Sequence, residues 1–270
     1  MPADPRSRLE SRVNSRHVSC YHATPTCEKP RHTVEHMAGL ISDSASQIHL
    51  LGSFQLEVRC CSTRLEKRTQ RLLAYLAVHR SRQSRALIAA ELWPGRDRPA
   101  WGALRQTILT LRWAGGDLLL NSGPGSLELA DHVQVDLHEA QTLATEILNG
   151  GGELAGLPEL LFAGELLPHW TEPWLIIPRA RYHQRRLDAL LLVGRQLLRQ
   201  GRLPTALDVA RLVRDLDPLR EEPWELLLRG LRRSGDQPAV RREYRRYRRL
   251  LSESAPGSMV SPRIEALLGG

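Results

Sequence analysis

Apolar residues recur at helical spacing along most of this 270-residue chain and alternate with polar ones only in a few short stretches. Residues 1–46 show neither pattern. They are mixed polar, with Pro2, Pro5, Pro25 and Pro30 scattered through them, a composition expected to be disordered. Met37, just ahead of the first periodic residue, is a second candidate start beside Met1. From Ile48 the run IHLLG, a break at Gly52 and Ser53, and then FQLEVRC alternate as two short strands joined tightly, with Arg64–Glu66 as a third edge.

Three helices follow. Lys67–His79 sets Leu72, Leu73, Leu76 and Ala77 on one face and leaves Arg68 and Arg71 outside it. Ser84 is a natural N-cap for ALIAAELW, which Pro94 cannot continue. The third helix runs through RPAWGALRQTILTLRWAGG, Arg98–Gly116. At about 100° per residue, Leu104, Ile108 and Leu111 form a narrow apolar seam there. Gln106, Leu109 and Trp113 face the other way, flanked by Arg105, Thr110 and Arg112. After it, DLLLN, the turn SGPGS and residues 127–130 read as a β-hairpin in which Gly123 and Gly125 are expected to take positive φ.

Strands, three helices and a hairpin in that order predict a winged helix-turn-helix with an N-terminal sheet over residues 47–135. The remainder, 136–270, reads as all helix: an amphipathic stretch at 137–148, a long helix before Arg202, then Pro204–Leu216, Glu222–Ser234 and Gln237–Ser252. Gly201 and Gly235 are 34 residues apart, as are Pro204 and Pro238, which is the tetratricopeptide period. Two helix pairs cannot bury a core alone, so the long helix and the terminal SPRIEALL are expected to cap the stack. Gly150–Gly152 reads as a hinge, since no Lys-Ser/Thr pair follows to make a phosphate loop. The fold class is therefore mainly α with a small antiparallel β component, a winged helix followed by a tetratricopeptide-like domain.

Composition adds limits. With 41% hydrophobic and 25% charged residues the chain is ordinary globular protein, and no apolar run reaches the roughly 20 residues of a membrane span. The absence of an apolar leader and the four cysteines, too few for a disulfide framework, point to the cytoplasm and reduced thiols. Cys20, His22, Cys27 and His32 are zinc-ligand types, but C-x-H-x4-C-x4-H matches no known zinc module, so no metal is expected. The net charge of +8 is concentrated: residues 48–130 hold 12 basic against 6 acidic residues, whereas each flanking segment is close to balance. Such local excess is the footprint of a polyanion-binding module. The run RREYRRYRRLL places Tyr244, Tyr247, Leu250 and Leu251 on one side and arginines on the other, the pattern of a solvated helix face.

Catalytic motifs are missing: no Walker sequence, HExxH, nucleophile elbow or paired-cysteine zinc spacing occurs. The chain is read as a sequence-specific DNA-binding regulator, not an enzyme, with no cofactor and no membrane partner. Arg105, Gln106, Leu109, Thr110 and Trp113 are expected at base edges, because Gln pairs bidentately with adenine and Arg with guanine. Arg68, Arg71, Arg96, Arg98 and Arg112, with Ser122 and Ser126 of the hairpin, are expected at phosphates. The alternative is an interaction module, in which the helical half binds a protein or senses a ligand and the winged half only packs.

The segments LEKRTQRLLAYLAVH, LIAAELWPG, ALRQTILTLR and VDLHEAQ resemble the N-terminal, OmpR-like winged half of the bacterial transcriptional activator domain proteins, the group that includes the Streptomyces antibiotic regulatory proteins. The resemblance continues through FAGELLPHWTEPWLIIPRARYHQRRLDALLLVGRQLLRQGR, most closely at Glu172, Pro173, Trp174 and Leu175. It departs at Thr110, where the family favours Arg, and at Gly115, where a packing Leu is usual. The resemblance implies promoter binding through the winged helix, self-association in tandem on direct repeats, and contact with RNA polymerase through the helical half.

Overall fold

The computed structural model describes residues 46–58, 61–95, 97–113, 119–150, 158–255 and 257–268. The cysteine and histidine constellation at 20–32 lies outside them.

Two small sheets and three helices make the first half. Strands β1 (Gln47–His49), β2 (Gln55–Val58) and β3 (Cys61–Ser62) run antiparallel, and β7 (Gln134–Val135) adds to β1 in parallel, giving the order β3-β2-β1-β7. The third edge is Cys61–Ser62 rather than Arg64–Glu66, because Val58 pairs directly with Cys61 and the ladder is already complete by Thr63, whose N–H donates to the Leu56 carbonyl. Helix α1 is Lys67–His79, α2 is Arg85–Leu92 and α3 is Asp97–Trp113. A second sheet, ordered β4-β6-β5, joins β4 (Gln83–Ser84) to the hairpin of β5 (Leu120–Gly123) and β6 (Ser126–Leu129).

One hydrophobic core holds this half together. Ile48, Leu50 and Leu56 of the sheet region meet Leu72, Leu73 and Leu76 of α1 and Leu104, Ile108 and Leu111 of α3, all buried. Each such side chain contributes about 1.5–3 kcal/mol on burial, so the three on α3 fix the helix's rotation.

Helix α4 (Asp136–Leu148) is shared between cores. Leu137 and Ala140 lie in the first, Ala144 and Ile147 in a second. That second core is built by α6 (Ile176–Arg199), α7 (Leu203–Leu216), α8 (Glu221–Arg233) and α9 (Gln237–Ser254), with the short helices α5 (Glu159–Phe162) and α10 (Pro262–Glu265) adding Leu161 and Ile264. Packing runs α6 on α7, α7 on α8 and α8 on α9, with α10 against α8. Trp224 stacks on Tyr247 at 5.0 Å between ring centroids and donates its indole N–H to the Pro218 carbonyl at 2.9 Å. The α9 arginines at 241, 242, 245, 246, 248 and 249 are exposed, while Tyr247 and Leu251 are buried.

The 34-residue period is visible in the backbone. Gly201 and Gly235 take φ of 77° and 79°, a left-handed conformation that glycine reaches without strain. The bonds around them repeat: Gly201 N–H to Leu198 and Gly235 N–H to Arg232, Arg202 N–H to Leu197 and Asp236 N–H to Leu231. Each set ends one helix and aims the next.

Candidate nucleic-acid interface

Local chemistry sets α2 and α3. Ser84 caps α2 by accepting a hydrogen bond from the Ala86 N–H at 3.2 Å. The capping strand β4 also pairs with β6, Ser84 opposite Ser126, and the Arg85 N–H donates to the Gly125 carbonyl at 2.9 Å. The hairpin turn is thereby fastened to the start of α2. Gly125 alone of the two expected glycines has positive φ, at 78°. Pro124 takes the fixed-φ position ahead of it, so Gly123 can stay in the strand opposite Ser126. On the exposed hairpin edge, Arg82 donates to Glu128 at 2.6 Å, and that hydrogen bond holds the Glu128 carboxyl below its ordinary pKa.

On α3 the buried seam leaves one face out. Arg105, Gln106, Leu109, Arg112 and Trp113 are exposed, Trp113 to 90%, while Thr110 is half-buried. Thr107, the one buried polar side chain among the described residues of α3, donates its hydroxyl to the Ala103 carbonyl at 2.8 Å. Trp101, 50% exposed, is a residue that sequence reading missed. The signal was present: it stands four residues before Arg105 and so shares its face.

The expected phosphate ligands divide. Arg68 is exposed in the first turn of α1, and Ser122 is exposed and Ser126 half-buried on the hairpin. Arg96 and the side chain of Arg98 lie outside the described residues. Arg71 points inward instead: its guanidinium donates to the Leu92 carbonyl at 2.9 Å and to Glu172 at 2.7 Å. A cation held by two internal acceptors is not available to DNA, and its partner, 101 residues away, leaves no local mark in the sequence.

Behind the helices, the segment leading into α6 locks onto the winged half. The Gly52 N–H donates to the Glu165 carbonyl and the Leu167 N–H to the Leu50 carbonyl, both through backbone. Arg179 donates to the carbonyls of Leu166, Leu167 and Trp170 at 2.7–2.9 Å. Trp174 is buried edge-on against Tyr75, with centroids 5.3 Å apart, and Trp170 stacks on Phe54. Both tryptophans pack the protein. Asp136, at the start of α4, accepts from the N–H groups of Leu50, Leu51 and Leu137 at 2.7–3.1 Å. The α3 face and the hairpin therefore stand on a base clamped from below.

Among the described residues no group of three or more His, Cys, Asp or Glu is arranged to hold a metal ion, and no helix is long and apolar enough to cross a membrane.

Comparison with known proteins bears on both halves. Residues 153–267 match the model of the bacterial transcriptional activator domain. The fold is similar to that of Mycobacterium tuberculosis EmbR, solved in complex with a low-affinity phosphopeptide, with a TM-score of 0.67 at 18% identity over 84% of this chain. The match covers 64% of the EmbR chain, so this protein corresponds to part of that length. No curated protein sequence matches the chain.

Proposed function

We propose that this chain, which resembles the transcriptional regulators of the bacterial transcriptional activator domain and Streptomyces antibiotic regulatory type, binds double-stranded DNA sequence-specifically. Helix α3 enters the major groove, and the β5–β6 hairpin reaches the neighbouring backbone. The observation that carries this reading is the two-sidedness of α3: Leu104, Ile108 and Leu111 are buried, while Arg105, Gln106, Leu109 and Trp113 stand in solvent. An isolated amphipathic helix would need no amide or indole on its outer face. A major groove uses both, through a bidentate Gln–adenine pair and apolar contact with thymine methyl groups. Arg68, Arg98, Arg112, Ser122 and Ser126 position the protein on phosphates; Arg71 holds the scaffold instead. By the same resemblance, copies bind in tandem on direct repeats and the helical half contacts RNA polymerase.

The test is enrichment of duplexes from a random-sequence pool by the full chain, followed by footprinting of the enriched sequence. A protected site centred on one or two repeated motifs supports the proposal. Retention of the pool without enrichment, or no retention at low salt where the electrostatic contribution is largest, overturns it in favour of a protein-binding module.

A further inference from the structure

Between α6 and α8, on a part of the molecule remote in sequence from α3, lies a cavity of about 500 Å³. Its floor is apolar, formed by Leu198, Leu226 and, from the segment after α10, Leu267. Its walls are cationic. Among the described residues that line it, Glu225 is the one carboxylate, and this is paired with Arg229 at 2.6 Å. Two further arginines serve the fold: Arg233 donates to the Leu198 carbonyl, and Arg232 reaches the carbonyls of Ala266 and Leu267 at 3.4 Å.

Arg195 and Arg199 differ from these. Both are exposed on α6, line the cavity and make no hydrogen bond or salt bridge with a described residue; Glu222 acts on Arg195 only at longer range. They stand four residues apart, so their like charges repel across one helical turn. A concave, leucine-floored site that gathers cations at the expense of its own helix has the character of a site awaiting anionic groups.

The spacing identifies the kind of occupant. Four helical residues rise about 6 Å, close to the roughly 6.6 Å between alternate side chains of an extended chain. We propose that the groove binds an acidic peptide segment of a partner protein. Alternate carboxylates of that segment meet Arg195 and Arg199 on the α6 wall, in charge-assisted hydrogen bonds for which the guanidinium fork is suited, and the intervening apolar side chains, which an extended chain directs to its opposite side, meet Leu226 and Leu267 on the facing wall. A simple anion would use the arginines and leave the leucine floor bare. The inference rests on reading the helical half as the partner-binding half of a regulator, and its test is run without DNA so that either proposal can fail alone.

The probe is a fluorescein-labelled peptide of alternating Glu and Leu, titrated with the full chain and followed by fluorescence anisotropy. Counterpart peptides alternate Glu with Ser and Lys with Leu. The expected result is binding of the Glu/Leu peptide, at least fivefold weaker binding of the Glu/Ser peptide, and none of the Lys/Leu peptide. Arg195→Glu with Arg199→Glu weakens the Glu/Leu peptide at least tenfold, while Arg105→Ala with Gln106→Ala leaves it unchanged. Arg195→Gln with Arg199→Gln, which removes charge without reversing it, is measured alongside and is expected to fall between; circular dichroism confirms that each variant is folded. Equal binding of the Glu/Ser and Glu/Leu peptides, or displacement of Glu/Leu by an equal concentration of pyrophosphate, would reduce the groove to a simple anion site and overturn the proposal. So would a loss caused by the α3 substitutions and not by those on α6.

Discussion

Arg71 of α1 and Glu172, three residues before the end of the turn that opens α6, are joined at 2.7 Å with both side chains largely buried. The pair links the winged half to the entrance of the helical half. Glu172 lies within residues 153–267, which match the bacterial transcriptional activator domain, and Trp174 of the same region packs on Tyr75. Glu172 and Trp174 thus dock the second half on the first.

Arg71→Met is expected to destabilise the protein by about 2 kcal/mol, less than a fully buried ion pair because some solvent reaches both groups. Affinity for DNA per folded molecule should not change. Chemical denaturation of Arg71→Met, Glu172→Gln and the double variant measures the coupling. About 1 kcal/mol is expected, and additive effects would show that the two side chains do not act together.

Asp136 accepts three backbone N–H bonds, two from the β1 region and one from α4. Its replacement by Ala leaves three buried donors unpaired, each costing about 1–3 kcal/mol, and partial relaxation brings the expected loss to roughly 4 kcal/mol. Asp136→Asn keeps an acceptor oxygen and should cost less than half as much. Urea midpoints at constant slope test the order; equal losses would mean that the charge, not the acceptor geometry, matters.

His138 supplies a pH dependence. Its Nε2 faces the Ala77 carbonyl at 2.5 Å, joining α4 to α1. Burial holds the imidazole below its ordinary pKa, Arg80 pushes the same way, and the bond to Ala77 opposes them only in part. The folded state therefore favours the neutral ring. Its contribution is fully present above the unfolded value of about 6.5 and is lost as pH falls below this toward the lowered folded pKa, where the unfolded chain takes the proton first. His138→Gln, which can still donate to Ala77, should flatten the decline in stability between pH 7.5 and 5. An unchanged pH profile would assign that decline to other groups.

Much of this fold was legible because helices advertise themselves every 3.6 residues. Lys67–His79, the Ser84 cap and the α7 to α9 stack follow from apolar spacing and from the two glycines 34 residues apart. Strands β4 and β7 were not legible, since two residues carry no period and their partners are distant in sequence. The buried seam of α3 was readable, and so was its outward face, except that Trp101 went unmarked before Arg105 and that Thr110, expected at a base edge, is half-buried. The role of Arg71 was hidden for a physical reason: an arginine on the edge of an apolar helix face looks solvated until the residue that covers it is known. The sharing of α4 between two cores was hidden in the same way.

Separation of reading from positioning is expected within the winged half. Gln106→Ala should relax preference at one base pair by about 1–3 kcal/mol and leave salt dependence nearly intact. Arg68→Ala should weaken all sequences alike and reduce the slope of log K against log salt by about 1. Affinities for enriched and scrambled duplexes over a salt series distinguish them; equal losses on both duplexes for both variants would refute the division.

The most direct measurement of whether α3 reads DNA is the ratio of affinities for the enriched duplex and a scrambled one, taken at one salt concentration for the full chain and for Arg105→Ala with Gln106→Ala. A ratio of about 10³ or more for the unmodified protein, falling at least tenfold in the variant while its circular dichroism is unchanged, is the predicted result. A ratio near one for the unmodified protein, or a high ratio that survives both substitutions, would contradict it.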